Sequence, residues 1–167
     1  MTPTDDSTTT VERTTRIDAP LEDVWSFHAD ASGLERLTPS WIGLRLESAV
    51  DADGSSGRAE LRSGTELVYS VRPFGIGPRR YVRARIVDRW RTDERAGFRD
   101  ELADGPLEHW EHEHAFVADG DGTFLSDRVS FALPGGRAGA AVAPAAKLGL
   151  AVAFRDRHRR TKALLER

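Results

Sequence analysis

Along most of the chain, apolar and polar positions alternate with period two, and in two places the pattern switches to helical spacing. From Thr8 to Ile17 the residues are β-branched or charged, with Val11 and Ile17 on one face, which predicts a strand. Asp18-Ala19-Pro20 ends it. Pro20, Glu22 and Asp23 suit the start of a helix, and Leu21, Val24, Trp25 and Phe27-His28 recur at helical spacing, so a short helix is expected over 20–28. A second short turn covers 32–37 and stops at Pro39. From 41 to 133 the chain reads as strands: Ile42, Leu44 and Leu46; then Thr65, Leu67, Tyr69 and Val71; then Val82, Ala84, Ile86 and Trp90; then 98–102, 107–117 and 123–133. The residues between them form turns, with Asp104-Gly105-Pro106 and Asp119-Gly120-Asp121-Gly122 as the strongest hairpin signals. After Pro134-Gly135-Gly136 the pattern becomes Ala-, Leu- and Arg-rich, predicting a long helix with Pro144 in its first turn and its end near Leu165. Leu148, Val152 and the stem of Arg155 form one stripe on that helix; Leu150, Phe154, Arg157 and Leu164 fall on or near the next. Strands joined by hairpins, with a helix that must bury an apolar stripe, predict an α+β two-layer fold.

Composition narrows the function classes. The chain has 167 residues, 39% hydrophobic and 31% charged, with a net charge of -3. This is one domain's length, long enough to bury a real core, and too balanced for disorder. Residues 1–7 read as a flexible N-terminus and 8–167 as a single domain. No basic excess points to nucleic acid. Cysteine is absent, which removes disulfides, thiolate metal sites and thiol nucleophiles. No run reaches the roughly 18 apolar residues of a membrane span, so stable membrane insertion is not expected. The first residues carry no signal-peptide pattern, so the expected location is cytoplasmic. The basic residues are 22 Arg and 2 Lys, a composition that the fold does not demand.

Residues 107–117 carry the most chemistry. On a strand, Trp110, His112, His114 and Phe116 share one face, while His109, Glu111 and Glu113 share the other. If Asp119 pairs with Gly122 across the next turn, His114 stands opposite Asp127, His112 opposite Val129 and Phe116 opposite Leu125. Opposed Cβ atoms are roughly 5 Å apart, so a His114–Asp127 contact is within reach and would raise the histidine's pKa. Three readings follow: a buried polar pair that fixes register, a polar anchor for a ligand, or a general base (His112 or His114 oriented by Asp127). Catalysis lacks a visible second acid or oxyanion donor. His112, His114 and Asp127 also make a two-imidazole, one-carboxylate ligand set, but nothing else in the sequence supports a metal, so neither metal nor cofactor is expected. Asp100 falls near Trp110 and is within reach of Arg157 as an ion pair. The 155–160 run reads as a solvated face complementing the helix dipole. Gly75-Ile76-Gly77 lacks the context of a nucleotide loop.

Several segments resemble one superfamily. "IDAPLEDVWSFHAD" (17–30) resembles the strand-end and first-helix signature of the START-related helix-grip superfamily, which includes polyketide cyclases and birch-pollen-allergen-type binding proteins. "LERLTPSW" (34–41), the Gly105-Pro106 to Phe116 run within "FRDELADGPLEHWEHEHAF" (98–116), "GTFLSDRVSFALP" (122–134) and "FRDR" (154–157) resemble its cyclase/dehydrase-like branch, often labelled "cell division inhibitor". The resemblance covers about 10–160. It implies a curved seven-stranded antiparallel sheet gripping the last helix, with a cavity between them for a lipid-like or polycyclic ligand. It does not imply a reaction. The Ala- and Gly-rich stretch 138–146 departs from the bulkier residues expected there. On this view the cavity wall includes Tyr69, Trp110, His112, His114, Asp127, Phe131 and Phe154, with Phe74 and Ile76 at its mouth. The expected function is binding of a hydrophobic small molecule. The alternatives are a cyclase/dehydratase-type enzyme using His114 and Asp127, and a ligand-free protein-interaction module. An exposed edge strand, at the N-terminus or at Trp41–Val50, would allow a homodimer without requiring one.

Overall fold

The computed structural model describes residues 8–56 and 60–166. The expected flexible segment 1–7 and the last residue of the 51–57 turn lie outside them. Strand β1 (Thr9–Ile17) leads into helix α1 (Leu21–His28) and helix α2 (Ala31–Leu37), the second capped by the Asp30 carboxylate accepting from the Ser32 amide at 2.7 Å. Six more strands follow: β2 (Arg45–Val50), β3 (Glu66–Val71), β4 (Arg80–Arg91), β5 (Arg95–Asp104), β6 (His109–Asp119) and β7 (Gly122–Ala132). Helix α3 (Arg137–Leu165) closes the chain. The sheet is antiparallel with order β1-β7-β6-β5-β4-β3-β2, so the first strand crosses over to pair with the last. Register shifts in β2 and β4, between Leu46 and Ser48 and between Ile86 and Asp88, add the local twist that curves it. This is the expected helix-grip fold.

The concave face holds the core. Ile17, Leu67, Ile86, Phe98, Phe116 and Leu125 pack with Val24 and Trp25 of α1, and Trp25 meets Phe116 edge-on at 5.8 Å. Val11, Val129, Phe131 and Phe154 form a smaller cluster beneath α3. The β6–β7 hairpin turns as its Gly pattern requires. Gly120 takes φ +62° and Asp119 pairs with Gly122, so every pair on that face follows in the expected register.

Three local expectations change. Residues 40–42 form a 3-10 turn rather than a strand, and the strand starts at Arg45. Gly43 explains this. Its φ is +61°, and a Cβ there would stand 2.5 Å from the Arg72 carbonyl oxygen, so the chain must turn before it can pair. Helix α3 begins seven residues before Pro144, which therefore sits inside the helix. Pro144 and Ala140 are both exposed, so water can satisfy the carbonyl that the proline leaves unpaired. Finally, α3 buries only the middle of its second stripe, leaving Leu150 half-buried and Leu164 exposed. Phe154 and Arg157 face inward, while Leu148 is 68% and Val152 50% exposed. Small residues at 138–146 bury little, and α3 is, by length and composition alone, apolar enough to cross a membrane.

Candidate functional site

A cavity of about 220 Å³ lies between the concave face and α3. Tyr69, Trp110, His112, His114 and Phe154 line it. Asp127 and Phe131, also expected on the wall, do not: Asp127 lies fully buried behind the histidines, and Phe131 packs in the smaller cluster. The loop residues Phe74 and Ile76 do not line it either and are largely exposed. Phe74 takes φ +55° and stacks on Trp41 at 5.3 Å, beside the wall residues Ile42 and Val71.

Asp127 organises the polar wall. The cross-strand pair His114–Asp127 forms as the register requires, with Nδ1 2.7 Å from Oδ1, although the approach is not aligned as a hydrogen bond. His112, on the diagonal, donates from Nε2 to the same oxygen at 3.0 Å. His158 of α3 donates from Nε2 to Oδ2 at 2.8 Å, and its Nδ1 meets the Thr15 hydroxyl at 2.8 Å. Arg157 brings its Nε to 3.8 Å from Oδ2. The expected Asp100–Arg157 pair therefore does not form; Arg157 turns to the more deeply buried carboxylate. Asp100 instead accepts from the Trp110 indole at 3.2 Å, and its Oδ2 lies 3.6 Å from His114 Nε2 and 3.9 Å from His112 Nδ1. Each histidine thus has one ring nitrogen beside Asp127 and the other facing Asp100.

These surroundings sort the protons. Burial favours the neutral carboxyl at Asp127, but Arg157, His114 and His112 outweigh it and hold its pKa well below the usual range. Burial and the neighbouring His114 lower the His112 pKa. Burial acts the same way on His114, but Asp127 and Asp100 outweigh it and raise its pKa. Burial, then Arg157, pushes His28 down to about 3; its Nδ1 donates to the Val24 carbonyl at 2.7 Å, and its ring lies 4.9 Å from Phe116. Burial and Asp100 raise the pKa of Tyr69, so its hydroxyl stays a neutral donor, without a hydrogen-bond partner among the described residues. Of the pair, the surroundings thus favour the proton on His114 over His112.

The sequence reading missed His28 and His158 and undervalued Asp100. His158 is 1% exposed, although it lies in a run that reads as solvated. Helical spacing was the available signal: Phe154, Arg157, His158 and Thr161 fall on one face of α3, and all four are buried.

The family model described as polyketide cyclase / dehydrase and lipid transport matches residues 8–166. The chain belongs to this family. No curated protein sequence matches it. Solved structures share its fold at low identity. Protein CV1439 from Chromobacterium violaceum has a TM-score of 0.64 at 16% identity, over 95% of this chain and 97% of that one. TTHA0849 from Thermus thermophilus has 0.61 at 18%, over 93% and 99%. Norcoclaurine synthase from Thalictrum flavum, in complex with dopamine and hydroxybenzaldehyde, has 0.63 at 17%, over 95% and 87%. The family's description, with its lipid transport, suggests binding of hydrophobic molecules; the solved structures share the fold.

Proposed function

We propose that the protein binds a compact, ring-containing apolar molecule carrying a hydroxyl or carbonyl group, and holds it between the sheet and α3. The observation that carries this reading is a mostly apolar cavity with Asp100, His112, His114 and Tyr69 on its sheet wall, and with His28, Asp30, Thr38 and Arg157 lining it from the helical side. Its volume of about 220 Å³ lies below the roughly 300–1,000 Å³ of pockets for drug-sized ligands, so a small ring system suits it better than a full-length acyl chain. Burying about 200 Å² of an aromatic occupant would contribute about 5 kcal/mol before the costs of association. The polar wall would set orientation: Asp100 accepts from a ligand hydroxyl, and Tyr69 donates to a carbonyl. A fold neighbour crystallised with two small aromatic molecules is consistent with an occupant of this size.

The test is a titration with 2-naphthol, read by the fluorescence of Trp110 at the cavity wall and by native mass spectrometry. Saturable one-to-one binding is expected. Ala153→Leu fills the cavity from α3 and should abolish binding while keeping or raising Tm. Binding that survives Ala153→Leu unchanged would place the naphthol elsewhere and overturn the reading.

A further inference from the structure

We infer that Asp100, His112 and His114 form a site for one divalent transition-metal ion, such as Zn²⁺ or Fe²⁺, on the wall of the cavity. Each of the three offers one donor atom, and these atoms all lie within 4.8 Å of one another. The donors are Asp100 Oδ2, His112 Nδ1 and His114 Nε2, with carboxylate-to-nitrogen separations of 3.9 and 3.6 Å. Two ligands each about 2.1 Å from a tetrahedral ion stand about 3.4 Å apart, so the two carboxylate–nitrogen pairs need close by only a few tenths of an ångström. Two imidazoles and one carboxylate form a donor set for zinc or non-haem iron.

The surroundings make this more than a chance cluster. A ligating histidine usually anchors its other nitrogen on a carboxylate or carbonyl, which fixes the ring and its tautomer. Here Asp127 stands behind both rings, 3.0 Å from His112 Nε2 and 2.7 Å from His114 Nδ1. Asp127 is itself held on its other oxygen by His158. The remaining oxygen of Asp100 is held by the Trp110 indole. Asp127 therefore belongs to the supporting layer, and Asp100 takes the carboxylate-ligand position that the sequence pattern alone suggests for Asp127. All three ligands line the cavity, which leaves the open side of an ion facing its occupant, where it would polarise a carbonyl or hydroxyl oxygen. The inference does not depend on the ligand-binding reading: cavity and naphthol binding can stand without the metal, and the metal without them.

The experiment uses the full-length chain without a histidine tag, stripped with chelator and titrated with Co²⁺ alone, then with Zn²⁺ as competitor. One equivalent of Co²⁺ with visible d–d absorption, displaced by Zn²⁺, is expected. Asp100→Asn, nearly isosteric and able to keep the Trp110 contact, should abolish this absorption, as should His112→Ala. His109→Ala, on the opposite face of β6, should leave it unchanged. Asp127→Asn should weaken binding about 10–100-fold. If His112→Ala does not fold, Asp100→Asn decides alone. No saturable uptake at micromolar Co²⁺, or uptake that Asp100→Asn leaves intact, overturns the inference.

Discussion

His112 and His114 stand with ring centres 3.7 Å apart on one face of β6, and their surroundings drive their protons in opposite directions. Two imidazolium ions at that distance would repel, so protonation of one opposes the other, and two carboxylates favour it at His114. NMR titration of the ring nitrogens in the presence of chelator should find His114 titrating above the ordinary histidine value and His112 below it. In Asp127→Asn the His114 value should fall. That variant should also lose roughly 3–5 kcal/mol of stability, because it leaves buried cations without their counter-charge. Urea unfolding measures the loss; less than about 1 kcal/mol would contradict it.

Acid should destabilise the fold well before ordinary carboxylates titrate. His28 and His112 have folded pKa values below their unfolded ones, so their contribution is fully present above about pH 6.5 and is lost as pH falls toward the folded values, about 3 for His28. His114 has the opposite sign: its contribution is present below about pH 6.5 and is lost as pH rises through its raised value. Tm measured from pH 7 to pH 4.5 should fall, and His28→Leu should flatten that slope. An unchanged slope in His28→Leu would show that His28 is not its source.

Tyr69 spends its hydroxyl on no protein partner among the described residues, so Tyr69→Phe should leave stability within about 0.5 kcal/mol of wild type. Affinity for a carbonyl-bearing ring ligand should fall roughly 3–10-fold, the worth of one neutral hydrogen bond. A large loss of stability would mean that the hydroxyl has a structural partner.

The two stripes of α3 should answer differently to substitution. Leu148→Glu lies on the exposed stripe and should change stability by no more than about 0.5 kcal/mol. Phe154→Ala removes a buried ring that stacks on His112 at 5.4 Å and should cost about 3 kcal/mol or more. Amide exchange should show the same division, fast over 137–150 and slow over 153–163. Uniform protection along α3 would contradict it.

Where a local rule determines the geometry, the site was legible in the sequence. The two-residue turn at Gly120-Asp121 fixes the β6–β7 register, and the register puts His114 opposite Asp127. Strand alternation puts Trp110, His112 and His114 on one face. Legibility ends where the fold brings distant elements together. The docking of α3 decides that Arg157 meets Asp127 rather than Asp100, and no single strand or helix specifies that angle. His158 was hidden because charge density in the 155–160 run masked helical phase. The buried and exposed stripes of α3 look alike in sequence, and only the reach of the sheet separates Phe154 from Val152.

Asp127 also bears on how the chain reaches its native state. Through it the β6–β7 hairpin contacts α3, and through His158 that helix contacts Thr15 of β1, 143 residues away in sequence. Contacts this distant in sequence carry a high loop-closure cost. Until α3 docks, Asp127 lacks Arg157 and His158. A chain without its last helix would therefore leave Asp127 with only the two β6 histidines as partners, so the docking of α3 completes the charge balance of this buried carboxylate.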